Sequence, residues 1–155
     1  MMRVCAQRVA EASVTVLNEL GTVDPTFDLR QIGPGLLLTV EAEPDDDESA
    51  ISRMAHHVLT LRCFDGPQGR LTLSVQEMRG EILSVPQPLT SLRRPPAGRP
   101  RLVSHDADDE HANLTWIRFN EALRSGNVPV YEGRFGARMR IGSIADGPFQ
   151  FTLRE

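Results

Sequence analysis

The chain has 155 residues, with 17 basic and 21 acidic side chains and a net charge of −4. That length is one ordinary domain, and 40% hydrophobic with 25% charged residues describe a folded chain, not a disordered one. An acidic sum argues against non-specific wrapping of DNA, and no apolar run reaches the ~18 residues of a membrane span.

Residues 1–10 carry Arg3, Gln7 and Arg8 without a long apolar stretch and do not read as a secretory signal. Val4 to Val9 and Ser13 to Leu17 alternate in polarity and are expected to be two strands, with Glu11-Ala12 between them. Asn18 to Asp28 reads as a loop or irregular hairpin tip, and Gly33-Pro34-Gly35 as a turn. Leu36 to Val40 is nearly continuous in apolar character, which suits a central strand.

Glu41, Glu43, Asp45, Asp46, Asp47 and Glu48 form an acidic run. Carboxylates favour the positive end of a helix dipole, so the run is expected to open a helix. Ile51, Met54, Ala55, Val58 and Leu59 follow at the spacing of one buried face. The acids therefore read as cap and solvated face, with little support for a metal site.

A turn at Asp65 to Gly69 leads to strands near Leu71 to Val75 and Glu81 to Val85. Pro86, Pro88, Pro95, Pro96 and Pro100 then exclude a helix and any interior strand, and mark a long, partly rigid loop. A second helix is expected from about Asp108 to Arg124, with Ala112, Trp116, Phe119 and Leu123 on one face and Gly126 at its end. Val128 to Tyr131, Arg138 to Ile144 and Phe149 to Leu153 read as strands, with Asp146-Gly147-Pro148 separating the last two. Many strands and two helices predict an α+β fold: one domain over residues 1–155, with a curled, mostly antiparallel sheet.

All 17 basic residues are Arg. Arginine suits phosphate through its planar fork, but a GC-rich genome is the simpler account of the bias. Arg93, Arg94, Arg99 and Arg101 share a stretch without an acid, which leaves room for a confined phosphate contact such as an RNA end. Asp106, Asp108, Asp109 and Glu110 form a second acidic run.

Familiar catalytic signatures are absent: no GxSxG, P-loop, GxGxxG or HExxH. His56, His57, His105 and His111 lack the spacing of metal ligands, so no metal and no cofactor is expected. Cys5 and Cys63 are too few for a disulfide scaffold and read as small apolar residues in a reducing cytosol. Two segments stand out. Val85 to Thr90 sets two prolines around one amide at a strand end, where nearby amides and carbonyls are expected to point outward. Asp146-Gly147-Pro148-Phe149 is either a hairpin turn or a fixed, cis-capable Gly-Pro bond that aims carbonyls at a ligand.

In chain order, five segments carry a resemblance. Gln7-Arg8-Val9 with Ala12 to Val16 is similar to QRV…ASVTV, and Ile32 to Leu37 to IGxGLL. Gly80 to Val85 resembles the strand leading into SQFTL. Gly133 to Met139 resembles GRFGAxM, and Asp146-Gly147-Pro148 the core of NDGPVT. Together they resemble the D-aminoacyl-tRNA deacylases of the D-tyrosyl type, over nearly the whole chain.

The resemblance implies a tight homodimer in the cytoplasm. It would hydrolyse the ester of a D-amino acid on tRNA, or of glycine mischarged onto alanine tRNA. It also implies that Gly147 and a cis Pro148 enter the partner subunit's pocket and reject an L side chain, with Arg8 locking their orientation. Main-chain amides would hold the oxyanion, each supplying roughly 3–4 kcal/mol. Gln87 would lie near the terminal adenosine, and Arg93, Arg94 and Arg99 near acceptor-stem phosphates.

The segment matching SQFTL reads Pro86-Gln87-Pro88-Leu89-Thr90, with the threonine position on Leu89 and Thr90 one step late. Pro88 deletes an amide there, and Phe149 replaces a valine after Gly-Pro. Pro86-Gln87 and Phe149 also resemble a branch that removes L-alanine from threonine tRNA. A non-catalytic RNA-end-binding relative is the rival reading.

Overall fold

The computed structural model describes residues 1–43, 45–104 and 109–155. His105, Asp106 and Asp108, and the helix start expected at Asp108, lie outside the described residues.

The chain opens with one 15-residue strand, β1 (Arg3–Leu17), where the sequence predicts two. The apolar positions explain both readings. Met2, Val4 and Ala6 are buried, then Val9, then Ala12, Val14 and Val16, so the alternation skips a beat twice. Register shifts between Gln7 and Val9 and between Val9 and Glu11 absorb those skips as bulges, without ending the strand. The two halves therefore feed two apolar clusters, Met2, Val4 and Ala6 in one and Val9 to Val16 in the other.

β2 (Arg30–Ile32) pairs with β1, and β3 (Gly35–Glu41) runs antiparallel beside it. α1 (Glu48–Thr60) starts as its sequence predicts: the Asp47 carboxylate accepts from the Ala50 N–H at 2.8 Å. Ile51, Met54, Ala55, Val58 and Leu59 are all buried, each large side chain contributing roughly 1.5–3 kcal/mol. β4 (Phe64–Gly66) and β5 (Gly69–Leu73) form a small hairpin, and β6 (Glu81–Pro86) then lies parallel to β3.

The proline-rich segment holds a second hairpin that the expected loop omits, β7 (Thr90–Arg93) with β8 (Arg101–Ser104). It is a two-stranded ribbon outside the main sheet, with Pro95, Pro96 and Pro100 in its connection. Pro86 also ends an interior strand, contrary to expectation. Its neighbour β9 (Val130–Glu132) pairs only to Ser84, so at Pro86 there is no ladder bond left to lose on that side.

α2 (Asp109–Arg124) buries Trp116, Phe119 and Leu123. The residue in the left-handed region after it is Asn127 (φ 60°), not Gly126. At Gly126 a Cβ would lie 2.7 Å from both Leu59 Cδ1 and Gln76 Nε2, so these side-chain ends would have to shift to admit one.

The chain closes with a 17-residue strand, β10 (Arg138–Arg154), antiparallel to β1 from end to end. Asp146-Gly147-Pro148 therefore interrupts one strand and does not turn between two. The main sheet runs β10-β1-β3-β6-β9 and curls into a nearly closed, barrel-like form. β3 and β6 are buried on both faces: Leu36, Leu38 and Ile82 pack in the cluster under the helices, Leu37, Leu83 and Val85 in the other. This double burial is why Leu36 to Val40 shows no alternation.

Candidate active site

The three parallel strands β3, β6 and β9 end on one side of the sheet, at Glu41, Pro86 and Glu132. Ligands gather outside the carboxyl ends of parallel strands, where the chain leaves the ladder with unused polar groups. A cavity of about 180 Å³ lies there, lined by Pro86, Gln87, Pro88, Phe135, Gly136, Ala137 and Met139. Thus the proline-flanked glutamine and the segment after β9 meet in space. Phe135 packs against Trp116, whose Nε1 donates to the buried Ser84 hydroxyl at 2.9 Å.

The loop carrying Phe135 is tied down by Arg134. Its Nη1 donates to Asp24 Oδ2 at 2.9 Å, and its guanidinium lies 5.1 Å from the Phe27 ring centroid. Hydrogen bonds from Thr26, then from Arg134, hold the Asp24 carboxyl below its ordinary range.

Main-chain donors follow the expectation only in part, since among the described residues the Leu89 N–H has no partner within the chain but those of residues 86–88 are absent or used. Pro86 and Pro88 have no N–H, and the Gln87 N–H donates to the Val40 carbonyl at 2.8 Å. Residues 86–88 therefore offer no free amide. Among the described residues, the Phe135 and Gly136 N–H groups have no partner within the chain, whereas those of Gly133, Arg134 and Ala137 do. Leu89 and Thr90 are half-buried and are not among the residues lining the cavity.

The Gly-Pro segment occupies a second place, on the edge strand. Between the pairs Gln7↔Gln150 and Val9↔Ala145, the four residues Asp146 to Phe149 face only Arg8. The surplus chain bulges outward as an exposed tip around a cis Gly147-Pro148 bond. Arg8 spans the base of this tip. Its Nε donates to the Asp146 carbonyl at 2.9 Å, Nη1 donates to the Cys63 carbonyl at 2.8 Å, and the guanidinium lies 5.0 Å from the Phe149 ring centroid. Gly147 has φ +139°, and a Cβ there would sit 2.8 Å from the Phe149 nitrogen and 3.1 Å from Arg8 Nη2. Only glycine fits that backbone. Phe149 stacks edge-on against Phe151 and stays out of the cavity beside Gln87.

Arg93, Arg94 and Arg99 are exposed on the β7–β8 ribbon and its connection, and none lines the cavity beside Gln87. Arg93 is directly opposite Arg101, an arrangement that like charges disfavour unless an anion lies against them. Cys63 is buried, and burial pushes its thiol up to about 11, so it holds no thiolate near neutral pH. Among the described residues, no group of three or more His, Cys, Asp and Glu side chains could hold a metal ion. No helix among them is long and apolar enough to cross a membrane.

Two residues beside Gln87 are not singled out as site residues by the sequence. The Gln87 amide nitrogen donates to Glu41 Oε1 at 2.7 Å, and Arg3 Nη2 donates to Glu41 Oε2. In the sequence Glu41 reads as part of the acidic run that opens α1. Its place directly after an apolar strand, where a charge ends up at a strand's carboxyl end, is the available signal.

Comparison with known proteins gives a consistent result. A family model described as D-Tyr-tRNA(Tyr) deacylase matches residues 5–154. A Bifidobacterium longum subsp. infantis protein named D-aminoacyl-tRNA deacylase is 50% identical over 152 residues, covering 98% of this chain and 93% of that protein. One of the same name from Exiguobacterium is 36% identical, covering 99% of both. Among solved structures, one titled c-Myc DNA Unwinding Element Binding Protein superposes with a TM-score of 0.79 at 28% identity, covering 99% of this chain and 98% of that one. A probable eukaryotic D-amino acid tRNA deacylase shares the fold at a TM-score of 0.71 and 17% identity, each chain covered to 98%.

Proposed function

This chain belongs to the D-Tyr-tRNA(Tyr) deacylase family, and from that premise we propose that it hydrolyses the ester of D-aminoacyl-tRNA, and of glycine mischarged onto alanine tRNA. Water adds to the ester carbonyl carbon and the carbon–oxygen bond to the terminal ribose breaks. That ribose oxygen takes the proton, and the free amino acid departs. An aminoacyl ester is already activated, so placement and oxyanion stabilisation carry most of the work.

The observation that carries this reading is the tip at Asp146 to Phe149, held by Arg8 and presenting Gly147 and Pro148 to the outside. A main-chain probe fixed in this way suits steric rejection of an L side chain. It needs a pocket to enter, and a second copy of the chain supplies one, the cavity beside Gln87. A homodimer is further supported by β10, whose outer edge is unpaired among the described residues, with Ile141 42% and Ile144 55% exposed. A long edge strand bearing apolar side chains calls for cover.

In this reading Gln87 and Pro86 border the bound 3′ end, with Pro88, Leu89 and Thr90 following as main chain, not as nucleophile or base. Phe149 braces the tip through Arg8. Arg93, Arg94 and Arg99 meet acceptor-stem phosphates. The protein acts in the cytoplasm as a single domain over residues 1–155 and uses neither metal nor cofactor. The cavity beside Gln87 is filled by neither Leu89 nor Phe149, which favours an enzyme over a non-catalytic relative.

Single-turnover hydrolysis of D-tyrosyl-, glycyl- and L-alanyl-tRNA, beside a Leu89→Thr variant, tests the proposal. The first two esters are expected to be cleaved and the third spared. Preferential cleavage of L-alanyl-tRNA would replace the reading with an altered editing specificity. Inactivity on all three, restored by Leu89→Thr, would mean a family fold that has lost its chemistry.

A further inference from the structure

We propose that Glu41 is a positioning residue that fixes which end of the Gln87 carboxamide faces the substrate. The proposal rests on the deacylase reading for its substrate, and on geometry for the rest.

Gln87 is attached to the end of β3 twice. Its main-chain N–H donates to the Val40 carbonyl at 2.8 Å, and its side-chain nitrogen to Glu41 Oε1 at 2.7 Å. Glu41 is only 7% exposed, and Arg3 engages its other oxygen. Gln87 is among the residues lining the cavity of about 180 Å³, and also among those lining a cleft of about 270 Å³ with Arg3, Glu41, Thr152 and Arg154.

A glutamine amide is nearly symmetric in shape but opposite in function at its two ends: NH₂ donates and oxygen accepts. A free surface glutamine can present either. An ionised carboxylate accepts only, so it selects the NH₂ end of its neighbour. Because the carboxamide is planar, commitment of nitrogen to Glu41 turns Oε1 away from it. Gln87 is thereby set as an acceptor for an N–H or O–H donor on the 3′-terminal aminoacyl-adenosine. Arg3 offsets the charge of a carboxylate too buried to stand alone.

The test combines single-turnover kinetics on D-tyrosyl-tRNA with the side-chain amide signal of Gln87 in 1H–15N NMR, assigned by its loss in Gln87→Ala. Glu41→Ala is expected to slow hydrolysis about fivefold to tenfold, the worth of one oriented hydrogen bond. In a Gln87→Ala background the same change should have no further effect, because Glu41 acts through Gln87. The Gln87 amide signal should move in Glu41→Ala and move less in Glu41→Gln, which keeps an acceptor and serves where Glu41→Ala fails to fold. An equal loss in the Gln87→Ala background, or an unmoved amide signal, would overturn the inference. A natural protein inactive on every ester would remove the deacylase reading alone, because the amide signal still decides whether Glu41 sets Gln87.

Discussion

The tip at Gly147-Pro148 and the segment from Gln87 to Ser104 are both largely exposed and both depart from the main sheet, yet they are held in different ways. The tip is four residues set against one, and Arg8 reaches two carbonyls and a ring to hold it. Among the described residues, the second segment is tied to the main sheet at Gln87, after which the chain leaves the sheet for a separate ribbon. Rigidity at the tip comes from side-chain bonds that over-determine one backbone shape. In the other segment it comes from missing donors and fixed proline φ angles. The first arrangement suits discrimination, which needs fixed atoms. The second suits contact with a long polyanion, which tolerates motion.

The largest test of that contrast is Gly147→Ala. An exposed site tolerates the methyl for folding, but a Cβ at φ +139° collides with the Phe149 nitrogen and must displace the tip. Hydrolysis of D-tyrosyl-tRNA is expected to fall about 100-fold with the melting temperature within a few degrees of the natural protein. Retained activity would show that the tip's position is not critical.

Arg8→Ala removes two charge-assisted hydrogen bonds and a cation–π interaction. It should cost about 2 kcal/mol, a fall of about 4–8 °C in Tm, with hydrolysis reduced about tenfold. Arg8→Lys should not restore either, because a single ammonium cannot span both carbonyls. On the ribbon, replacing Arg93, Arg94 and Arg99 with Ala should leave Tm unchanged and weaken tRNA affinity. The log–log salt slope should become shallower by about 0.7–0.9 for each phosphate that the variant no longer neutralises. The smallest effect concerns Cys63. With its thiol pushed up to about 11 by burial, it should resist alkylation at pH 8 in the folded protein and react once denatured. Labelling of Cys63 in the native state would contradict the packing beneath Arg8.

The same contrast governs how much of the molecule is readable from the sequence. The face of α1 and its Asp47 cap are legible because helix signals are local. The tip is legible as an oddity, but its architecture depends on pairing between residues about 140 positions apart, so a break within one strand looks like a turn between two. In β1 the double skip in alternation looks like a gap, because bulges shift phase without altering composition. The ribbon is hidden by its prolines, which mark the ends and connection of the hairpin, not its paired residues. Arg3 and Gln87 lie 38 and 46 residues from Glu41 in the chain, and the three meet only because β3 lies between β1 and β6.

The central claim is chiral rejection by a clamped main-chain tip, and the direct measurement is the rate on D-tyrosyl-tRNA against L-tyrosyl-tRNA, under single turnover on the same tRNA. The account predicts that the D ester is cleaved about 100-fold faster, a difference of about 2.7 kcal/mol in barrier. Equal rates, or a faster L ester, would contradict it.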